Sequence, residues 1–459
     1  MQTYILRRLL LMIPTLIGIT IVVFTVMAAA PGGISAQSLI EGQNLEPEVK
    51  RAMEEYYNRR YGLDQPAPVQ YLRWLNNISP IGFTMDADNH IDGFGFKGSD
   101  LGKSFLYGRE VSSLIAERVP ITLLLNILSI PIIYLVSIVI GVYAATHRGK
   151  MFDTGTGIGM LALWSIPTML AGVLLIGFFS SDQYWHWFPT AGLSERAARD
   201  MPFLPHWSDW QDLLLLFGLM TAAVALFSQL SLRLGQRPRS LLAALLGAAM
   251  GYWMAGAVAG GANGAGTAFL MLAGAATVGI IAYTEFKALR TATLALLGVV
   301  LAAVLAFHWM QGEFVRGYLL DRVWHLVLPV LCLTYGGFAF LAKLTRTSVL
   351  ENLQADYART ARAKGVGARD VLWQHVFRNS LIPLITVSAS LLPSLLAGSV
   401  IVESIFSIDG MGKLAVEAVQ GRDREMVLSI TLISGLLTLV SYIIADVLYA
   451  LVDPRVSYD

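Results

Sequence analysis

The sequence predicts an all-α, polytopic membrane protein of about ten helices, and three observations carry that prediction. Of its 459 residues, 55% are hydrophobic and only 14% charged, whereas soluble domains carry about 25% charged residues. The apolar residues gather into ten runs long enough to cross, or nearly cross, a bilayer as helices. Lys and Arg concentrate in alternate loops between those runs, as expected when basic loops stay cytoplasmic.

The first run, residues 9–30, is 22 residues long, about 33 Å as a helix and enough to span. Arg7 and Arg8 precede it and Ala28–Ala30 imitate a cleavage site. Signal-peptide apolar cores are shorter, roughly 7–15 residues, so residues 1–30 read as an uncleaved first transmembrane helix with the N-terminus inside. Residues 31–118 then hold nine Lys/Arg and twelve Asp/Glu and read as a small extracytoplasmic subdomain. Within it, "EEYYNRRYGLDQPAPVQYLRWLNNI" alternates apolar and polar residues at helical spacing on both sides of a Pro-containing turn. "GFGFKG", residues 93–98, superficially resembles a glycine-rich phosphate loop. It lacks the Lys-Ser/Thr that would open a helix, so a plain turn is expected.

Runs at 119–145 and 155–180 come next, the first closed by His147, Arg148 and Lys150. Trp185, Trp187, Trp207 and Trp210 suit an aromatic belt at the outer interface. Residues 119–195 thus hold the second and third helices. From 211 to 311 the chain turns rich in Ala, Gly and Leu, with runs near 211–232, 241–260, 264–284 and 292–311. Arg233, Arg237 and Arg239 follow the first of these, and Lys287 and Arg290 follow the third. The uncharged "AGGANGAG" lies between them. The charge bias places the basic loops inside and the glycine loop outside. Small residues permit close helix packing in lipid, and these four helices read as scaffold. Glu285, beside Lys287, reads as a solvated charge.

The run 324–342 returns the chain to the cytoplasm, and residues 343–378 then carry seven Lys/Arg against three acids. Runs at 381–402 and 426–451 complete the set, with the external "FSIDGMGKLAVEAVQGRDRE" between them. "DPRVSYD" falls inside, so both termini are expected to be cytoplasmic. Within the cytoplasmic loop 343–380, "DYARTARAKGVGARDVLWQHVFRN" reads as helix, glycine turn, helix, each piece amphipathic and neither able to cross a membrane. Tyr357, Ala358 and Ala361 share one side, while Arg359 and Arg362 lie on another. Two uses fit that pattern: a small-residue face inserted into a partner's groove, or a basic helix resting on anionic lipid.

Classical chemistry is missing from the pattern. Cys332 is the sole cysteine, which excludes a disulfide framework, and its apolar setting suits a small buried hydrophobe. The seven histidines show no metal-ligand spacing, His186, His206 and His308 lying apart near predicted surfaces. No G-x-x-x-x-G-K-[ST] or G-x-S-x-G motif occurs. The expectation is a chain with no catalytic residues, no metal and no cofactor of its own, and with no nucleic-acid partner. Two charges inside apolar runs remain as candidates. Asp446, about two turns before Asp453, either lines a pathway or pairs with a basic residue on another helix. Glu403, at an outer helix end, either faces a path or gate or caps the interface.

The segment "DYARTARAKGVGARDVLWQHVFRNSLIP" closely resembles the cytoplasmic coupling loop of binding-protein-dependent ABC importer permeases of the peptide type. "LRRLLLMIPTLIGITIVVF", "YGLDQPAPVQYLRWL", "SDLGKSF", "AERVPITLLL", "VESIFSIDGMGKLAVEAVQGRD" and "ADVLYALVDPRVSYD" resemble other parts of the same family, in order, over residues 1–195 and 322–459. The pattern is nearest to the first-named membrane subunits of oligopeptide, dipeptide and nickel importers. The resemblance implies the type I ABC importer transmembrane fold, with six family helices and four inserted ones at 211–311. It implies that Asp356, Tyr357, Ala358, Arg359, Thr360, Ala361, Arg362, Ala363, Lys364 and Gly365 dock on a cytosolic ATPase. Gly365 would end that helix in a backbone conformation that glycine adopts cheaply. The implied partners are a second, homologous permease, two ABC ATPases that hold the ATP, an external binding protein and the bilayer. Three departures fall on the external side: "PGGIS" lacks the family's Asp-Pro, Asp409 replaces a Pro, and Arg424–Glu425 replaces Tyr-Pro. They weaken the substrate assignment, and nickel or peptide antibiotics stand as alternative cargoes. A self-powered secondary transporter would show broken helices in pairs or several intramembrane charges, of which the sequence offers few.

Overall fold

In the computed structural model, the described residues are 2–29, 46–61, 63–85, 91–207, 210–256, 264–283, 287–309 and 314–452. "PGGIS", most of the "AGGANGAG" loop, Glu285, Asp453 and the rest of "DPRVSYD" lie outside them. Tertiary contacts divide the chain into two units, one formed by Met1–Ala171 with Pro329–Asp459 and the other by Gly172–Leu328.

The first unit opens with α1 (Gln2–Ala29), followed by α2 (Pro47–Tyr61) and α3 (Ala67–Ile78), the helices expected on either side of the Pro turn. Next comes a hairpin, β1 (Ile81–Met85) with β2 (Ile91–Phe96), paired antiparallel. This corrects the plain turn expected for "GFGFKG": residues 93–96 are strand. The segment's glycines alternate with phenylalanines, so one face of the ribbon is almost bare, and Asn76 of α3 lies against it at Gly82. Helix α4 (Val111–Thr146) starts eight residues before the expected boundary at 119. Its first two turns bury Val111, Leu114 and Ile115 against Met411, Leu414 and Met426, and ion pairs add to that packing. Arg118 meets Asp409 at 3.2 Å, and Arg109 meets Glu117.

The run expected as one helix over 155–180 is two, α5 (Met151–Ser165) and α6 (Thr168–Phe179), bent by 97°. Pro167 accounts for the break. Proline cannot donate to the helix ladder, and it forces the residue before it out of the helical region; Ile166 has φ −78° and ψ 121°. Side chains of a later helix reach the carbonyls at the bend. Tyr335 donates its hydroxyl to Ile166 O at 2.6 Å, and Cys332 Sγ lies 3.6 Å from Thr168 O.

The second unit holds the small-residue helices α7 (Trp210–Arg233), α8 (Gln236–Gly256), α9 (Gly264–Tyr283) and α10 (Lys287–Trp309). Short strands β3 (His206–Trp207) and β4 (Phe314–Val315) pair beside them. Helices α8 and α9 approach at glycine: a Cβ on Gly247 would lie 2.2 Å from Gly274 O, and one on Gly251 2.2 Å from Leu270 O. Backbones this close are what small residues allow in a membrane.

The chain continues through α11 (Gly317–Gln354), α12 (Asp356–Ala363), a π-helical stretch Val371–Phe377, α13 (Arg378–Ile405), α14 (Met411–Gln420) and α15 (Arg424–Val452). Helix α11 outruns its apolar run by three turns. Among the described residues, seven helices are long and apolar enough to cross a membrane, or eight if the bent pair α5–α6 is one span. Helices α8 and α13 form at the other two expected places without being among those seven.

Candidate coupling site

Helix α12 is short, and what surrounds it fixes its place. Ala355 is extended, with φ −65° and ψ 151°, so α11 stops and a new helix starts one residue later. At its far end Gly365 has φ +82°. Val366 N donates to Ala361 O at 3.2 Å and Gly365 N to Arg362 O at 3.0 Å. That pair of bonds is the Schellman arrangement, which needs a left-handed residue at the position Gly365 holds. A Cβ on Gly365 would meet nothing within 4 Å, so only the backbone opposes a larger residue there.

The two faces of α12 are used in the opposite sense from the groove-insertion reading. Ala358 and Ala361 are buried inside the chain, against Val142, Ala145, Val349, Val371 and Val376. The small face is therefore the inner one. What α12 presents is polar: Asp356, Tyr357, Arg359, Thr360, Arg362, Ala363 and Lys364 are exposed, and so is Gly365 at its end. Arg359 sits 3.6 Å from Asp356, Arg362 Nη2 donates to Leu353 O at 3.0 Å, and the Tyr357 hydroxyl bonds Asn352 Oδ1. After Gly365 the expected second, separate amphipathic helix is instead the lead of α13, joined to it through the π-helical stretch. Loop 343–380 is thus a short break between two long helices.

Buried polar contacts tie those long helices together next to α12. Arg346 on α11 grips Asp153 on α5 through both oxygens, with Nη2 donating to Oδ2 at 2.8 Å, and Gly149 N donates to the same oxygen at 2.9 Å. Ser348 and Ser380 exchange hydroxyl-to-carbonyl bonds of 3.2 and 3.3 Å between α11 and α13. Where α4 crosses α11, a Cβ on Gly141 would lie 2.7 Å from Ala342 O. These contacts join α4, α11 and α13 to one another beside α12.

Glu403 and Asp446 lie elsewhere. Glu403 is fully buried; its carboxylate accepts from Thr122 Oγ1 at 2.7 Å and from Lys413 N at 3.0 Å, while Gly410 and Gly412 close around it. Asp446 forms an ion pair with Arg8 of α1 at 3.0 Å. A second polar centre, missed in the sequence, surrounds the start of α15. Arg424 donates to Glu425 Oε1 at 2.9 Å and to Gln70 Oε1 on α3 at 2.9 Å. Asp423 accepts from Ser104 Oγ at 2.5 Å and from Leu106 N at 3.1 Å. Nearby, outside the spans, Asp409 is partly buried, which opposes its charge. Lys413 and Arg118 nevertheless hold its carboxyl below the usual carboxylate range. Arg424, one of the residues replacing the family's Tyr-Pro, therefore ties α3 to the start of the last helix. Their signal was the three successive charges Asp423, Arg424 and Glu425 at a helix start.

The family described as a binding-protein-dependent transport system inner membrane component matches residues 287–458, and its N-terminal part matches residues 1–126. The chain belongs to this family. It is a permease subunit of an ABC import system and a multipass protein of the inner membrane. The permease is 29% identical to the oligopeptide transport system permease protein AppB of Bacillus subtilis, over the whole of both chains. It is 25% identical to the inner membrane ABC transporter permease protein YejB of Escherichia coli, again over both chains. With the di/tripeptide transport system permease protein DppB of Pseudomonas aeruginosa it shares 27% identity over all of this permease and 99% of that one.

Proposed function

We propose that this permease imports peptides or similar small solutes, and that α12 is the handle by which separate ATPase subunits drive it. The observation that carries the reading is the construction of α12: a polar outer face on a helix whose inner face is packed among α4, α11 and α13. A helix held so firmly cannot move alone, so force applied to its exposed face reaches the transmembrane helices. ATP binds the partner subunits, and this chain supplies neither catalytic groups nor a cofactor. The working assembly contains a second, homologous permease, two cytosolic ABC ATPases and an extracytoplasmic binding protein, with both termini of this chain on the ATPase side. The cargo class follows the relatives, whose names specify oligopeptides and di- or tripeptides.

Reversing charge with Arg359→Glu and Arg362→Glu tests the reading, because both side chains are exposed and their contacts, with Asp356 and Leu353 O, are at the surface. ATP-dependent uptake of a labelled peptide into proteoliposomes holding the full assembly should fall to background while membrane insertion is unchanged. Uptake at the wild-type rate in that variant would remove α12 from the coupling path.

A further inference from the structure

Helices α7 to α10 carry far more positive charge than they can neutralise. Arg233, Arg237, Arg239, Lys287 and Arg290 gather where α7 ends and where α8 and α10 begin, and between Asp212 and Glu313 the sequence offers one acid, Glu285. Basic residues at the ends of membrane spans ordinarily reach water, and Arg233, Arg237 and Lys287 are exposed. Arg239 and Arg290 are not, at 4 and 8% exposure. A guanidinium keeps its proton inside a protein, so both remain charged, and a buried charge needs partners.

Arg239 has its partners. Nε donates to Ala282 O at 2.7 Å, and Nη1 to Leu234 O at 3.2 Å and Ser231 O at 3.5 Å. Those carbonyls lie at the C-terminal ends of α7 and α9, where the helix dipole favours a cation. Arg290 has the opposite setting. It stands in the first turn of α10, the positive end of that helix. Among the described residues it makes no hydrogen bond and no ion pair, and its Nε is buried with no acceptor. The two arginines are also neighbours. Arg239 reaches Ser231 O, the Ser231 hydroxyl lies 2.9 Å from Thr291 Oγ1, and each guanidinium opposes the other's charge. A buried cation without an acceptor, a second cation beside it and a helix N-terminus all ask for an anion.

We propose that Arg290, with Arg239 beside it, holds a phosphate group, and that this phosphate belongs to the headgroup of an anionic lipid. The guanidinium fork matches phosphate oxygens in pairs, and Lys287, three residues earlier on α10, lies on the same side of the helix and is exposed. The level of the site argues for a lipid as the source. Arg233 is the last residue of the span Gln211–Arg233 and Arg290 the second of Leu289–Ala306, so the pair lies where hydrocarbon gives way to headgroups. Basic pockets between transmembrane helices at that level take anionic headgroups. The proposal rests on α7 and α10 crossing the membrane and on nothing said of coupling or cargo.

The full-length chain, stripped of lipid in a non-ionic detergent, is titrated with phosphatidylglycerol, phosphatidylcholine or inorganic phosphate and read by native mass spectrometry and thermal midpoint. Arg290→Gln and Arg290→Lys are compared with Arg237→Gln, which removes the same charge from an exposed position. The parent and Arg237→Gln should retain one phosphatidylglycerol that Arg290→Gln holds severalfold less often, with Arg290→Lys between. That lipid should raise the midpoint of the parent and leave Arg290→Gln unmoved. Without anionic lipid, Arg290→Gln should melt no lower than the parent, because it has lost only a charge without an acceptor; this separates lost binding from lost folding. A much lower midpoint there would overturn the proposal by showing that Arg290 already has partners. Equal losses at positions 237 and 290 would overturn it as well, reducing the effect to surface charge, and so would phosphatidylcholine held as firmly as phosphatidylglycerol. Inorganic phosphate that stabilises the parent as much as the lipid does would overturn the lipid assignment and make the ligand a soluble phosphate.

Discussion

In the unit built from Met1–Ala171 and Pro329–Asp459, helices far apart in sequence are joined by polar side chains; in the unit Gly172–Leu328 they are joined largely by bare backbone. Arg346–Asp153, Thr122–Glu403, Ser104–Asp423 and Gln70–Arg424 bridge separations of 193 to 354 residues in the first. In the second, Gly247 and Gly251 let α8 touch α9, and Gly298 leaves room for Phe227, whose ring would lie 2.6 Å from a Cβ there. Arg239 adds a cap, donating from Nε to Ala282 O at 2.7 Å and from Nη1 to Leu234 O at 3.2 Å, where carbonyls at helix ends lack partners. The difference separates two jobs. Directional, paired contacts fix the relative placement of the helices they join, whereas close glycine packing makes a stable block without specifying polar partners.

That contrast can be sharpened or broken by substitution. The largest loss is expected from Arg346→Leu, which strands the buried Asp153 carboxylate. Removing one partner of a buried ion pair costs on the order of 3 kcal/mol, seen as a lowered thermal midpoint in detergent, and Asp153→Asn in the same chain should restore part of it. A variant as stable as the parent would show that the pair does not hold α5 to α11. Next comes Gly251→Val, where the nearest obstacle is backbone that cannot step aside. Overpacking of this kind costs about 1–3 kcal/mol, and it should loosen a disulfide cross-link engineered between α8 and α9. If the cross-link forms as before, close approach is not what joins those helices. Glu403→Gln keeps size but turns an amide NH2 toward groups that already donate, for about 1–3 kcal/mol; an unchanged midpoint would mean the cradle of Gly410 and Gly412 tolerates either. The smallest effect is Gly365→Val, about 1–2 kcal/mol of backbone strain, with a milder loss for Gly365→Asn; equal behaviour of the two would deny that the left-handed conformation matters.

Much of this architecture is legible in the sequence because lipid selects for long apolar runs, and those mark where the helices lie, with ends off by up to about three turns at α11. The stop at Gly365 is legible because few residues other than glycine fit a left-handed helix end. The orientation of α12 is not: Ala358 and Ala361 are small enough to enter a partner or to be covered, and only Val349, Val371 and Val376 closing over them decides. The break at Ile166–Pro167 carries a local signal, yet an apolar run on both sides hides it. The ribbon is illegible for a different reason, since the Gly-Phe alternation reads as a plain turn until its pairing with β1 is seen. Partners such as Thr122 and Glu403, 281 residues apart, carry no local signal at all.

The central claim, that the exposed face of α12 receives the ATPases, is tested most directly by isolating the assembly from its membrane in mild detergent with and without Arg359→Glu and Arg362→Glu, and weighing its subunits by mass spectrometry. The account predicts that the parent chain brings a second permease and two ATPases, and that the variant keeps the permease and loses the ATPases. ATPases retained at full stoichiometry by the charge-reversed chain would contradict it.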